Sequence, residues 1–215
     1  MGTLNIKFPY GEEHIFESGK PIILLGANGA GKTRFSIKVE ELNDPTFKNW
    51  NAQESIPIHR ISAQKSLSIQ DSIFILDNES SKRRLFWGDT DQYATKSRNR
   101  FGSNPATSLL DDFNKALSLL FSEENKELQL AHQQDKQAIK ENMLRPEPIT
   151  TVVEKATEIW NELLPYRKID LTGNCVHVNY EGQRYHGKEM SDGERVILYM
   201  ICQVLVQRPN CLLYT

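Results

Sequence analysis

The chain has 215 residues, a formal net charge of −2 and three cysteines, with 39% hydrophobic and 25% charged residues. This balance describes a globular chain of one large domain with enough apolar content for a core. It excludes a disulfide scaffold and an overall basic nucleic-acid glove, and no apolar run approaches the ~20 residues of a membrane-spanning helix.

The N-terminus carries no apolar signal core, and Cys175, Cys202 and Cys211 have no zinc-like spacing. Reduced cysteines and a cytoplasmic location are therefore expected. Leu4, Ile6 and Phe8 alternate with Asn5 and Lys7, which predicts a half-buried strand. Pro9-Tyr10-Gly11 turns the chain, and His14-Ile15-Phe16 predicts a second, antiparallel strand. Phe8 or Tyr10 is placed to lie against a nucleotide base, or to pack at the rim as most aromatics do.

Pro21-Ile22-Ile23-Leu24-Leu25 is short, apolar and β-branched, and predicts a buried strand. It leads into Gly26-Ala27-Asn28-Gly29-Ala30-Gly31-Lys32-Thr33, a complete G-x-x-x-x-G-K-[ST] phosphate loop. From Thr33 to Leu42, Phe35, Val39 and Leu42 fall on one helical stripe. Glycines let backbone N–H groups turn toward a phosphate, and the opening helix adds the positive end of its dipole. Lys32 is expected to reach the β- and γ-phosphates and Thr33 to hold Mg²⁺. With Arg34 beside them, residues Gly26, Ala27, Asn28, Gly29, Ala30, Gly31, Lys32 and Thr33 form the candidate nucleotide site.

Asn43 to Ser55 reads as loop, and Ile56 to Ser62 as a strand that delivers Gln64 at its end. A glutamine there can coordinate Mg²⁺ or hold an attacking water; a surface glutamine fits equally. Asn78 to Asn104 reads as a polar loop with basic patches at Lys82-Arg83-Arg84 and at Lys96, Arg98 and Arg100, near Phe86 and Trp87. It suits either a nucleic-acid contact or a solvated loop.

Ser108 to Phe121 is amphipathic through Leu109, Phe113, Leu117 and Leu120, and Glu123 to Met143 predicts an exposed helix stopped by Pro146 and Pro148. Thr151 and Glu154 form a capping box for a helix striped by Val153, Ile159, Trp160 and Leu163. Asn174 to Tyr180 and Gln183 to His186 predict a hairpin about Glu181-Gly182. His177 and His186 lack a third ligand at zinc spacing. Ser191-Asp192-Gly193-Glu194 then heads an apolar helix, with Ser191 as N-cap and Glu194 as box partner. A serine and a glycine at a helix start also suit a phosphate.

Gly26 to Thr33 together with Ser191-Asp192-Gly193-Glu194 resembles the nucleotide-binding head of ABC-class ATPases, with Gln64 where the family's Q-loop falls. The pattern is closer to chromosome-maintenance, DNA-repair and OLD-nuclease ATPases than to transporter subunits. The opening residues and Arg60-Ile61-Ser62-Ala63-Gln64 look most like bacterial anti-phage ATPases of the PARIS type. The resemblance implies an α/β P-loop NTPase fold with an N-terminal antiparallel β element and a helical insert. Its segments are a first part of the nucleotide core at 1–77, a basic loop and helical insert at 78–170, and the signature helix with the next strand at 171–215. It implies ATP and Mg²⁺ as cofactors, Lys32 and Gln64 in catalysis, and Thr33 and Gln64 at the metal. Ser191, Asp192, Gly193 and Glu194 would act in trans in a head-to-tail dimer of ATPase subunits. An effector protein, DNA or a phage component are the further partners implied, with no membrane. Met190 and Asp192 depart from the commoner Leu and Gly or Ser, and the insert is too short for a long coiled-coil arm. In the family the strand after the signature helix ends in Asp-Glu; Cys211 to Thr215 begins such a strand, so those acids are expected past Thr215 in a longer protein. Two roles remain open: an ATP-hydrolysing motor or switch, and an ATP-stabilised scaffold for a toxin or nuclease. A small-molecule kinase is a third, in which the Ser191 helix has no chemical role.

Overall fold

Five α-helices and seven short strands account for most of the regular structure in the computed structural model, which describes residues 3–17, 19, 21–52, 56–62, 65–102, 104–208 and 211–214. In chain order these are β1 (Thr3–Lys7), β2 (Glu13–Glu17), α1 (Lys32–Asn43), β3 (Ile58–Arg60), α2 (Asn78–Phe86), α3 (Phe113–Lys140), α4 (Val152–Leu163), β4 (Lys168–Asp170), β5 (His177–Tyr180), β6 (Gln183–His186), α5 (Asp192–Leu205) and β7 (Leu212–Tyr214). A π-helical turn spans Lys96–Arg100, and 3₁₀ turns span Pro45–Phe47 and Gly187–Glu189. The chain is thus mixed α/β with small sheets. Among the described residues no helix is long and apolar enough to cross a membrane. The residues divide into two compact units: Met1–Gln64, Phe86–Leu110 and Arg208–Thr215 form the first, and Lys65–Leu85 with Asp111–Gln207 form the second.

In the first unit, β1 and β2 pair antiparallel as the alternation predicts, with Leu4 opposite Phe16 and Ile6 opposite His14. β3 and β7 pair in parallel, Ile58 against Leu212 and Arg60 against Tyr214. The expected strand at Pro21–Leu25 does not form. The run takes no strand conformation, and Ile23 and Leu25 are 76% and 89% exposed. β propensity expresses itself only against a neighbouring strand, and among the described residues the other strands of this unit pair with one another.

α1 forms where expected, but its buried face is Ile37, Val39, Glu40 and Asn43, whereas Leu42 is 44% exposed. Two polar residues sit inward because each has partners. Asn43 Nδ2 donates to the Lys7 carbonyl at 2.8 Å and its Oδ1 accepts the Lys7 N–H at 2.8 Å. Glu40 is fully buried against Lys96 and Tyr214. A hydropathy stripe does not register such pairs.

The polar loop expected at Asn78–Asn104 contains α2 and the π-helical turn instead. Lys96 and Phe86 are fully buried and Arg100 is 7% exposed. Lys82 pairs with Glu79 at 3.5 Å and Glu123 at 3.2 Å. Burial removes Lys96, Arg100 and Phe86 from any nucleic-acid surface, while Lys82, Arg83 and Arg84 are half-buried and Arg98 is exposed.

In the second unit, the two helical stretches read at Ser108–Phe121 and Glu123–Met143 are one helix. α3 runs 28 residues, about 42 Å at ~1.5 Å per residue. No Gly or Pro interrupts it. It buries Phe113, Ala116, Leu117 and Leu120 early and is mostly exposed beyond Ser122. α4 carries the predicted Thr151–Glu154 capping box, and Glu127 of α3 accepts the Val152 N–H at 2.8 Å. α3, α4 and α5 bury Phe113, Trp160, Leu198, Tyr199 and Cys202. β4, β5 and β6 form an antiparallel sheet, and the Glu181-Gly182 turn has φ of 50° and 80°, the two positive values of a tight hairpin. The three-residue β4 is too short to show alternation and was not expected.

Candidate functional site

The phosphate loop closes on its own lysine. Lys32 Nζ donates to the carbonyls of Gly26 at 2.7 Å and Ala27 at 2.9 Å, and the Ala30 N–H reaches the Ala27 carbonyl at 3.1 Å. Gly29 and Gly31 have φ of 82° and 88°, in the left-handed region where a side chain is strained. Gly31 is the N-cap of α1, and the first intrahelical bond runs from the Phe35 N–H to its carbonyl at 2.9 Å. The N–H groups of Lys32, Thr33 and Arg34 therefore have no acceptor within the helix. No side chain caps them, and the first turn holds no acidic residue. Residues 21–30 are all exposed, as are Thr33 and Arg34. Arg34 lines an open hollow of ≈ 450 Å³ on the flank of α1, together with Lys38, Phe47 and Asn104.

These features test whether a nucleotide fits. Open donors, the dipole's positive end and a lysine held at the loop mouth match a polyanion, and the first turn of α1 holds no acid to oppose it. Mg²⁺ bound with a nucleotide keeps most of its ligands from phosphate and water, so one exposed hydroxyl, that of Thr33, is a sufficient protein contribution. Gln64 lies outside the described residues.

The back of α1 is fixed as firmly as its front is open. Lys96 Nζ sits 3.0 Å from Glu40 Oε1, is paired with Asp44 Oδ2, and donates to the Ile58 carbonyl. The Tyr214 hydroxyl donates to Glu40 Oε2 at 2.6 Å. Burial, then the neighbouring Glu40 charge, pushes the Tyr214 phenol far above its ordinary value, so it stays a donor. β3, β7 and the π-helical turn thereby converge on the rear of the phosphate-loop helix. Sequence reasoning missed this knot. The signal was a basic segment interleaved with apolar residues, which reads as surface. Beside the loop, Phe8 packs within 4.5 Å of the His14 ring and 5.1 Å of the Phe35 ring, so it is a packing residue, while Tyr10 is 89% exposed.

At α5 the predicted capping box is complete. Ser191 N–H and Oγ donate to Glu194 Oε2 at 2.7 and 2.6 Å, and the Glu194 N–H approaches Ser191 Oγ at 3.4 Å. The other oxygen, Oε1, accepts from the Tyr185 hydroxyl at 2.5 Å and lies 3.4 Å from Arg167 Nη1. Burial raises the Glu194 pKa, but the hydrogen bonds from Ser191 and Tyr185 and the Arg167 charge outweigh it, leaving the carboxyl below its ordinary value. Ser191, Asp192 and Gly193 are exposed, whereas Glu194 is 6% exposed. A Cβ on Gly193 would meet nothing within 4 Å. Nothing within the fold therefore requires glycine at that position.

Among the described residues no three His, Cys, Asp or Glu side chains converge to hold a metal ion. The His177 and His186 rings stack edge to face at 5.1 Å, and His186 Nε2 lies 2.7 Å from the Asp71 carbonyl. Among the described residues Cys175, Cys202 and Cys211 are joined in no disulfide, and burial pushes the Cys202 thiol up to about 12. No known family, curated protein or solved structure matches the chain.

Proposed function

We propose that the chain is the nucleotide-binding head of an ABC-class P-loop ATPase that binds Mg-ATP at Gly26–Thr33 and pairs head to tail with a second copy. The observation that carries the reading is the loop itself: two left-handed glycines, uncapped first-turn amides and a lysine held across the loop mouth. Bound Mg-ATP would supply the γ-phosphoryl group and the cation that offsets its charge in transfer. Lys32 would exchange the Gly26 and Ala27 carbonyls for phosphate oxygens, the amides of residues 32–34 would donate from the helix head, and the Thr33 hydroxyl would be the residue to hold the metal. Gln64 would hold the metal or the attacking water. Ser191 and Gly193 present a hydroxyl and an unobstructed backbone to nucleotide on the partner copy. Such a pair would work as a motor or switch that closes on ATP and opens on hydrolysis, in anti-phage defence and coupled to an effector, with DNA or a phage component as trigger.

One observation favours a second reading. The Ser191 hydroxyl is already bonded within its own turn, as suits an ATP-stabilised scaffold that turns over little. Isothermal titration of the chain with Mg-ATP, set against Lys32→Ala, tests the shared premise. Saturable binding that Lys32→Ala weakens at least tenfold supports it, and equal binding by both rejects it. Phosphate release measured on the same samples separates switch from scaffold.

A further inference from the structure

Both oxygens of Glu194 are engaged, and they do different work. Oε2 holds Ser191 by its N–H and its hydroxyl, at 2.7 and 2.6 Å. Oε1 is held by Tyr185 at 2.5 Å, with Arg167 at 3.4 Å. Tyr185 belongs to β6, and Arg167 follows α4. Arg167 is itself braced: its Nη1 donates to the Tyr185 hydroxyl at 3.3 Å, its guanidinium lies 4.3 Å from the Tyr180 ring centre, and its carbonyl accepts the Trp160 indole N–H at 2.6 Å. The hydroxyl at the α5 head is thus set by two residues outside the Ser-Asp-Gly-Glu motif.

We propose that Arg167 and Tyr185 are positioning residues that regulate Ser191 through Glu194, loosening the hold of Oε2 on its hydroxyl so that a phosphate oxygen can replace Oε2 as acceptor. This rests on the reading that the α5 head meets a nucleotide on a second copy. A bare carboxylate beside that hydroxyl would repel a triphosphate and compete for the Ser191 proton. Arg167 offsets the charge, and Tyr185 draws electron density toward Oε1, which weakens the grip of Oε2. When the hydroxyl turns outward its proton stays on Oγ, and Oε2 keeps the Ser191 N–H, so no buried oxygen is left without a donor. Removing the Tyr185 hydroxyl leaves Oε1 underdonated, and the carboxylate then holds Ser191 harder.

The test is a double-mutant cycle read by sedimentation of the chain with Mg-ATP, in wild type, Tyr185→Phe, Ser191→Ala and the pair. Tyr185→Phe is expected to weaken ATP-driven association roughly three- to tenfold, and to have no further effect once Ser191 is alanine. Additive losses would make Tyr185 a purely structural support and overturn the inference while leaving the ATPase reading intact. Absence of any association that depends on both ATP and Lys32 overturns the two together. Arg167→Met, which keeps the apolar stem over Tyr180, repeats the cycle should Tyr185→Phe fail to fold. A nucleotide-free readout closes it: the Ser191 hydroxyl proton should exchange more slowly with solvent in Tyr185→Phe than in wild type, and an unchanged or faster rate would contradict the proposal.

Discussion

α1 and α5 begin in opposite ways. α1 opens on a glycine in the left-handed region, with no side-chain cap, no acid in its first turn and a lysine folded over the loop. α5 opens on a serine whose hydroxyl and N–H are taken by Glu194, with Asp192 and Glu194 both in the first turn. α1 is tied at its rear through Glu40 to Lys96 and Tyr214, while α5 is tied at its head through Glu194 to Tyr185 and Arg167. A helix N-terminus is therefore not a phosphate site by default. The head of α1 is left without a side-chain cap, whereas the head of α5 is closed by its own cap.

The comparison breaks most severely behind α1. Lys96→Met would leave Glu40 and Asp44 buried without their cation. The expected loss is about 3–5 kcal/mol of stability in a denaturant titration; an unchanged midpoint would mean that the knot is not what holds α1. At the front of the same helix, Lys32→Ala should cost about 1.5–3 kcal/mol of Mg-ATP affinity with little change in unfolding, because Lys32 bonds only to exposed loop carbonyls. Ser191→Ala should do the converse. It removes a cap worth about 1 kcal/mol, lowering the melting temperature while leaving the affinity of an isolated chain for nucleotide unaltered.

Acidity sharpens the contrast further. Glu194 has a folded-state pKa below its ordinary value of 4.5, so its contribution is complete above that value and is lost as pH falls through the lower, folded one. Wild type should therefore lose stability on acidification below about pH 4.5 more steeply than Glu194→Gln. Parallel profiles would show that the cap carries no net charge effect. The smallest effect is expected at Gly193→Ala. A Cβ there meets open space and a better helix former replaces glycine, so stability should hold or rise by a few tenths to about 1 kcal/mol. Under the ABC reading the same change weakens ATP-driven association, and an alanine chain that associates as well as wild type would count against it.

Local chemistry made much of this legible in the chain itself. The Thr151 and Ser191 capping boxes, the Glu181-Gly182 hairpin and the β1–β2 pair each follow from residues within a few positions of one another. The phosphate loop's conformation does too, since Gly29 and Gly31 sit where positive φ is needed. What stayed hidden depends on distant partners. The Ile22–Leu25 run had strand composition but finds no strand beside it among the described residues. Lys96 and Arg100 looked like surface charge because their partners are remote: Glu40 and Asp44 for the first, and the Arg60 carbonyl, 2.8 Å away, for the second. The link from Tyr185 to Glu194 joins a strand to a helix cap nine residues on, a spacing that no periodicity marks.

The central claim is that the head of α1 receives a triphosphate. Backbone amide NMR of the chain titrated with Mg-ATP tests it most directly. Saturating shifts are predicted at Gly29, Gly31, Lys32, Thr33 and Arg34, with the amides of the Thr151-capped α4 head unmoved. Absent shifts at residues 29–34, or a response centred elsewhere, would contradict the account.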